Sequence, residues 1–488
     1  MKSNKLHVIA LKLIALFLFT TTMYSQVGIG TLTPDASAML EVESTTQGLL
    51  TPRMTSSERI AISNPANGLL VYDTSENAFY FYKSSTWTKL DSKVRNNYKL
   101  VKSAADLSAE LTAGGGSKYL LNTNTLYEIN GTINLTFSIE LNNAYILGLD
   151  SGEDRLVRSG GDIFTGNTGG SIKSISLSAP GGKVFNLSGS ASENLIIRDV
   201  IITGSNSVGT ISNYNMVFFS IIQYVGNTAG IKYSNIATLL INNTGWFSNN
   251  GGIYETFTGT FGVIEKQGGF MTIDGAAKGI DVSSNPVVPV ATLTGTSFSG
   301  TGTEYVKGYT TGAYAGYNFN NAWTVNCPGL KLESDEVASA NIYYNGTLSS
   351  GYTLSGTGTA AINLIPDTSA NEILAVNMFR TAGSNNNSKI IYGGKKTRTF
   401  QVNASFSIQG TSGYFANGYY AFYIKKGTEI LSETKTIIKV ERDAEFFSLS
   451  ISGTVDLAPG NSVEIFGQRL SGSGTTTISV ASLNLSIR

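Results

Sequence analysis

The chain has 488 residues, with 34 basic and 34 acidic side chains and a formal charge of zero. That balance excludes the strongly basic face a nucleic-acid partner requires. The only histidine is His7 and the only cysteine is Cys327, which rules out Ser-His-Asp and Cys-His nucleophiles, a multi-cysteine zinc site and an intrachain disulfide in the mature protein.

Residues 1–25 read as a secretory signal peptide. Lys2, Lys5 and Lys12 lead into the apolar run Leu13–Phe19, with small residues around Tyr24-Ser25. A membrane span needs roughly 20 apolar residues, so this run is too short to be a retained anchor. Cleavage is expected before Gln26 or Val27. The mature chain is then exported, extracellular or at the cell surface, and slightly acidic once the leader lysines are gone.

Residues 26–92 predict a small β module. Thr55 and Glu58 have capping-box spacing for a brief helix over "SERIAI". The turn "NPANG" precedes the strands "LLVYDT" and "AFYFYK" and the segment "WTKL". So short a meander makes a marginal core, and it is expected to pack on a neighbour or on copies of itself. The pieces Val27–Gly30, Thr33–Asp35, Leu50–Met54, Gly68–Asp73 and Phe79–Leu90 resemble the N-terminal module of Bacteroidetes exported surface proteins, cell-wall-anchor-like or tail-fibre-like. The resemblance implies an exported, fibre-like surface role rather than an activity. By the same analogy the expected assembly is a homotrimer.

Residues 93–117 read as a linker or cap, with one or two helical turns over Ala104–Leu111 ended by Gly114–Gly116. "AGGGSK" lacks the spacing of a phosphate loop. From 118 to 395 short apolar stretches recur between Gly, Asn and Ser. Leu195, Ile197, Val200 and Ile202 alternate on one face with a two-residue bend at Arg198–Asp199. Leu239 and Ile241 repeat the pattern 44 residues on, two turns of a coil. Repetition of this kind predicts a solenoid with these residues turned inward. "IRDVIITGSN" and "LLINNTGWFSN" resemble rungs of the right-handed parallel β-helix of pectate-lyase-like proteins. A sandwich of many short strands is the competing fold. The tyrosine-rich stretch from 311 to 395 finishes the solenoid or bridges outward.

Residues 396–488 predict an antiparallel β-sandwich or jelly-roll head. Phe400, Val402, Ala404, Phe406 and Ile408 share one face, as do Tyr420, Phe422 and Ile424. In the last strand Ile478 and Val480 are out of phase with Leu483, Leu485 and Ile487, which predicts a β-bulge near Ala481–Ser482. The pattern resembles the heads of trimeric fibres, complement-like or tumour-necrosis-factor-like in shape. The expected architecture is therefore all-β: N-terminal module, parallel β-helix, C-terminal sandwich.

For chemistry only carboxylates remain. Glycoside hydrolysis needs two of them roughly 5–10 Å apart across a sugar, and Asp199, Glu255, Glu265 and Asp274 are the rung acids to inspect. Asp150, Glu153, Asp154, Asp281, Asp335 and Glu336 lie in loops, and "DSGEDR" at 150–155 lacks the spacing of a calcium loop. Solvated surface acids are the plainer reading for all of them. Trp246, Tyr254, Tyr317 and Trp323, with Phe247 and Tyr314, sit in Gly/Asn-rich segments and could stack on sugars; that half or more of them complete the core or a subunit interface is the plainer reading. Cys327 reads as a buried filler. No metal or cofactor is implied. Three functions compete: a non-enzymatic surface or fibre protein binding an extracellular glycan or cell-surface ligand, a β-helical polysaccharide-degrading enzyme, and a structural matrix component. The first is favoured over the other two.

Overall fold

The computed structural model describes residues 8–10, 12, 26–90, 95–344, 352–355, 362–363, 373–384, 387–412, 417–472 and 475–488. The expected signal peptide lies almost wholly outside the described residues. No helix among them is long and apolar enough to cross a membrane. The chain divides into two compact units, residues 1–95 and 96–488.

In the first unit Val27–Ile29 pairs in parallel with Leu40–Val42. A four-stranded sheet joins Arg53–Met54, Leu70–Asp73, Ala78–Lys83 and Thr86–Lys89 in that order. The helix Ser56–Ile60 starts at the expected box, with Thr55 and Glu58 capping each other's backbone. Its Arg59 is buried, donates from Nε to Asp73 Oδ2 at 2.8 Å and lies 3.8 Å over the Tyr80 ring. Among the described residues of this unit Val71 is the one buried apolar side chain, while Ile29, Leu32, Met39, Leu40, Leu50 and Ile60 are exposed.

The second unit opens with a parallel β-solenoid of about nine turns. Two parallel sheets face one another. One runs rung by rung from Tyr98–Val101 to Trp323–Asn326, the other from Lys118–Leu120 to Val306–Lys307. Side chains of like position stack from coil to coil. Ile172, Ile197, Phe219, Ile241, Lys266, Leu293 and Val325 form one inward column. Leu177, Ile202, Tyr224, Trp246, Met271 and Phe298 form another. Ile197, Val200, Ile202, Leu239 and Ile241 are all buried in a single core, as the alternation requires. The bend at Asp199 has a conformational cause. Ser174, Asp199, Ile221, Asn243 and Gly268 stack in register, each at positive φ between 49 and 66°. One left-handed residue per coil turns the strand and moves the inward phase by one position.

The boundaries differ from those expected. The first rung is Tyr98–Val101, inside the stretch read as linker. The turns Ala104–Leu107 and Ser108–Ala113 close the open end of the coil, with Leu107 in the core and Glu110 accepting from Lys99 Nζ at 2.6 Å and Tyr127 Oη at 2.9 Å. At the other end the C-terminal sheets begin before residue 396. Ser339–Tyr344 pairs with both Ile373–Phe379 and the last strand, Thr475–Ile487. The sequence pattern could not place Ser339–Tyr344 in this sheet, because one of its two partners, the last strand, lies more than a hundred residues downstream. Two antiparallel sheets share one core. One is ordered Ile373–Phe379, Ser339–Tyr344, Thr475–Ile487, Arg398–Ser412, Phe446–Leu457; the other Thr381–Ser384, Asn387–Tyr392, Ser462–Arg469, Gly418–Lys426, Glu429–Val440. Ser407 pairs with Ser482 and Ile408 with Val480, so Ala481 is the extra residue of a bulge. Both phases of the last strand thereby reach the core.

Solenoid and sandwich are joined by ion pairing and stacking. Arg380 is buried between Asp335, with which it forms an ion pair, and the Glu333 carbonyl at 3.1 Å. Asp335 also accepts from the backbone of Lys395 and Lys396 at 2.9 Å. Burial alone would raise Asp335, but these donors hold it below its usual value.

Candidate functional site

The carboxylates singled out from the sequence do not meet. Asp199 occupies the bend column, where its neighbours in register are Ser174 and Ile221. Glu265 points outward beside Gln267 in a shallow depression of about 190 Å³ with Phe218, Leu240, Ile241 and Asn242. Its register neighbours are Leu240 and Thr292, so no second acid stands above or below it. Asp274 is an exposed turn residue that accepts from Thr301 N and Oγ1 at 2.8 and 2.9 Å, bonds that hold it below its ordinary value. Glu255 is not on the surface at all. It is turned into the core, and the expectation of a solvated or substrate-facing acid is corrected there.

Three of the four aromatics are likewise internal. Trp246 and Tyr254 are fully buried and stack on each other, ring centroids 4.5 Å apart. Trp323 is buried and donates from Nε1 to Tyr309 Oη at 2.9 Å. None can offer a face to a sugar. The Gly/Asn flanks that suggested protruding turns are the tight corners of the coil, and the aromatics beside them fill its interior. Tyr317 is half-buried, but Phe379 stacks on one side at 3.8 Å and Lys331 Nζ lies 3.4 Å over its ring. It serves the junction with the sandwich. Cys327 is buried, as expected of a filler, and burial pushes its thiol up. Among the described residues no group of three or more His, Cys, Asp or Glu comes together to hold a metal.

Two features went unread in the sequence. The first is a groove of about 420 Å³ crossing three coils, lined by Ala191, Asn213, Tyr214, Asn235, Ala237, Thr260, Phe261 and Gly262. It follows the corner where strands of the second sheet turn into the first. Asn213 and Asn235 take positive φ of 62 and 53° at that corner, a conformation asparagine tolerates. Their exposed amides form a ladder, Asn235 Nδ2 donating to Asn213 Oδ1 at 3.3 Å and Asn213 Nδ2 to Ser188 Oγ at 2.9 Å. Ala191, Ala237 and Gly262 leave the floor open, and the buried rings of Tyr214 and Phe261 lie beneath. Regularly spaced amides over an apolar floor can hydrogen-bond and pack on an extended, uncharged chain. No carboxylate lines the groove, so it carries no acid–base pair. The legible signal was the 22-residue spacing of the two asparagines, one per coil.

The second is a buried ion pair. Lys266 Nζ lies 3.1 Å from Glu255 Oε1 and donates to Thr244 Oγ1 at 2.9 Å. Lys266 takes the place of Ile241 and Leu293 in its inward column, and Glu255 that of Ile231 and Ile280 in the facing sheet. Burial pushes Glu255 up and Lys266 down, each against the pull of the other. The hydroxyls of Tyr224, Tyr233 and Tyr254 and the Trp246 indole nitrogen are buried around the pair. Burial raises all three tyrosines, and the Glu255 charge adds to that.

Three of the solved structures similar to this chain show likenesses of low score. Eiger TNF from S. frugiperda is 9% identical with a TM-score of 0.20, over 31% of this chain and 91% of that one. Murine APRIL is 11% identical with a TM-score of 0.18, over 29% and 98%. The enzymatically active domain of bacteriophage CBA120 tailspike protein 4 is 10% identical with a TM-score of 0.21, over 90% and 77%. Scores at this level carry no argument about this chain. No curated protein matches it. Residues 28–105 match the family described as the phage tail like trimerisation region.

Proposed function

We propose that the chain is a non-enzymatic, fibre-like exported protein that assembles as a homotrimer through its N-terminal unit and displays the solenoid and sandwich for adhesion. The observation that carries the reading is the exposure of that unit's apolar side chains. Among the described residues of one chain Val71 is its one buried apolar side chain, while Leu32, Met39, Leu40, Leu50 and Ile60 stand in solvent. Apolar surface left so open is stabilised by association, and the family match over residues 28–105 supports copies of the same chain as the partner. Light scattering on the mature chain tests it: three chain masses are expected, and Leu40→Asp with Leu50→Glu should return the particle to one. A wild-type mass of one chain would overturn the reading.

The ligand we propose for the shaft is an extracellular glycan lying along the groove between Asn213 and Thr260. Support comes from its exposed amides, its open apolar floor and its length across three coils. On a glycan array Ala237→Arg, which fills the floor, is expected to abolish a signal that the wild type gives. Binding unchanged by that substitution would remove the groove from the proposal.

A further inference from the structure

We propose that Glu255 and Lys266 condense to an isopeptide bond, an amide between their side chains that staples one coil of the solenoid across its interior. The two groups reach the same point from opposite walls, Glu255 from strand Ile253–Thr258 of the second sheet and Lys266 from strand Val263–Thr272 of the first. The amine nitrogen stands 3.1 Å from a carboxyl oxygen whose carbon is one bond further on. Holding two reactants at such a distance in a dry interior replaces a bimolecular encounter with an effectively unimolecular step.

The surroundings fit the reaction better than they fit a permanent ion pair. A buried pair carries the desolvation cost of both charges, and here burial pushes Glu255 up and Lys266 down, each towards its neutral form. The core is otherwise closed by aromatic rings, with Tyr254 stacked on Trp246 and the Lys266 nitrogen 5.2 Å from the Tyr254 ring.

The step balances without any co-reactant. A proton passes from the ammonium of Lys266 to the carboxylate of Glu255, giving the neutral amine and acid that burial favours. The nitrogen lone pair then adds to Cδ and the C–N bond forms. Nζ passes one proton to Thr244 Oγ1, to which it already donates, and the threonine hydroxyl gives its own proton to the departing oxygen. The C–O bond breaks, one water leaves, and nothing is oxidised or reduced. The product is a neutral amide in place of two buried charges.

The test is the mass of the full, folded chain measured after denaturation, a readout independent of assembly and of ligand binding. The wild type is expected to weigh one water less than its sequence. Trypsin should fail to cleave after Lys266, so that Tyr233–Lys278 is recovered as one peptide lacking a water. Lys266→Met should restore the full mass. Because that variant leaves Glu255 alone in the core, Glu255→Ile with Lys266→Leu serves beside it, copying the aliphatic residues above and below each position, and should fold with the full mass. A folded wild type of full mass that is cleaved after Lys266 would overturn the proposal.

Discussion

The solenoid and the N-terminal unit use the same apolar residue types to opposite ends. In the solenoid, alternation puts every second side chain inside, and the next coil supplies the surface it packs on. Phe219 has Ile197 below and Ile241 above it, with the rings of Phe185 and Tyr233 across the core at 5.9 Å. In the N-terminal unit Val71 is the one buried apolar side chain among the described residues, and residues such as Leu40 and Leu50 remain in solvent. A coil completes its neighbour, whereas a lone meander has to find a partner. Stability in the first region is therefore a property of the chain, and in the second, on the proposed trimer, a property of the assembly.

The sharpest way to break that contrast is to delete one side chain from each side. Phe219→Ala is expected to cost about 3–5 kcal/mol, the usual range for an aromatic removed from a close-packed core, seen as a lower denaturant midpoint at any protein concentration. Leu50→Ala should stay within about 0.5 kcal/mol for the isolated chain and instead raise the concentration at which the trimer dissociates. If both variants behaved alike, the distinction between self-completing and partner-completed regions would fail.

A second test concerns polar groups inside the coil. Asn227 and Asn250 are buried one rung apart. Asn227 Oδ1 accepts from Ser205 N at 3.1 Å, and its Nδ2 donates to Ile202 O and Asn250 Oδ1 at 2.9 and 3.0 Å. Asn227→Ala strips partners from several buried groups at once, and each orphan is expected to cost about 1–3 kcal/mol. Asn227→Asp, which keeps the acceptor and removes the donor, should cost less than alanine if the Ser205 bond dominates. Hydrogen exchange at Ser205 and Asn250 would report it.

The N-terminal unit has an acid-sensitive counterpart. Burial alone would raise Asp73, but Arg59, Ser56 Oγ and the backbone of Ser75 and Glu76 hold it down at about 2. Its folded value lies below its unfolded one. The stabilisation is therefore fully present above the unfolded value near 3.8 and is lost as the pH falls from there towards 2. A pH series of melting curves should show the N-terminal transition dropping in that window, and Asp73→Asn should flatten the dependence. A drop unchanged in Asp73→Asn would assign it to another group.

Much of the solenoid could be read from the sequence because its rule is local. The phase change at Arg198–Asp199 was visible, and the bend column explains it: a left-handed residue consumes one position without pointing in or out. The bulge at Ala481 was visible for the same reason. Glu255 and Lys266 were not, since a charged side chain in the inward phase contradicts the pattern that defines the phase. Only alignment of Lys266 with Ile241 one coil earlier shows where it points. Trp246 and Tyr254 stayed open between a sugar-facing and a core role, because Gly and Asn mark turns without saying which side of the turn an adjacent ring takes. The strand Ser339–Tyr344 reads with the solenoid's extension rather than with the sandwich, because its sheet is completed by the far end of the chain.

The bend column itself offers the finest test. Its members are Ser174, Asp199, Asn243 and Gly268, all suited to or tolerant of a left-handed backbone, and one exception, Ile221 at φ 57°. For a β-branched residue that conformation costs roughly 1–2 kcal/mol, because the branched Cβ crowds the following carbonyl oxygen. Ile221 is about half exposed, so little packing offsets the strain. Ile221→Asn, the residue that Asn243 supplies one coil later, is expected to stabilise the solenoid by about 1 kcal/mol. Ile221→Gly should gain less, because glycine relieves the strain but loses more chain entropy on folding. A higher unfolding midpoint for asparagine than for glycine, and for both than for isoleucine, is the expected order. If isoleucine proved the most stable of the three, its side chain would be making contacts worth more than the strain, and the outward face at this bend would have to be counted as packed surface.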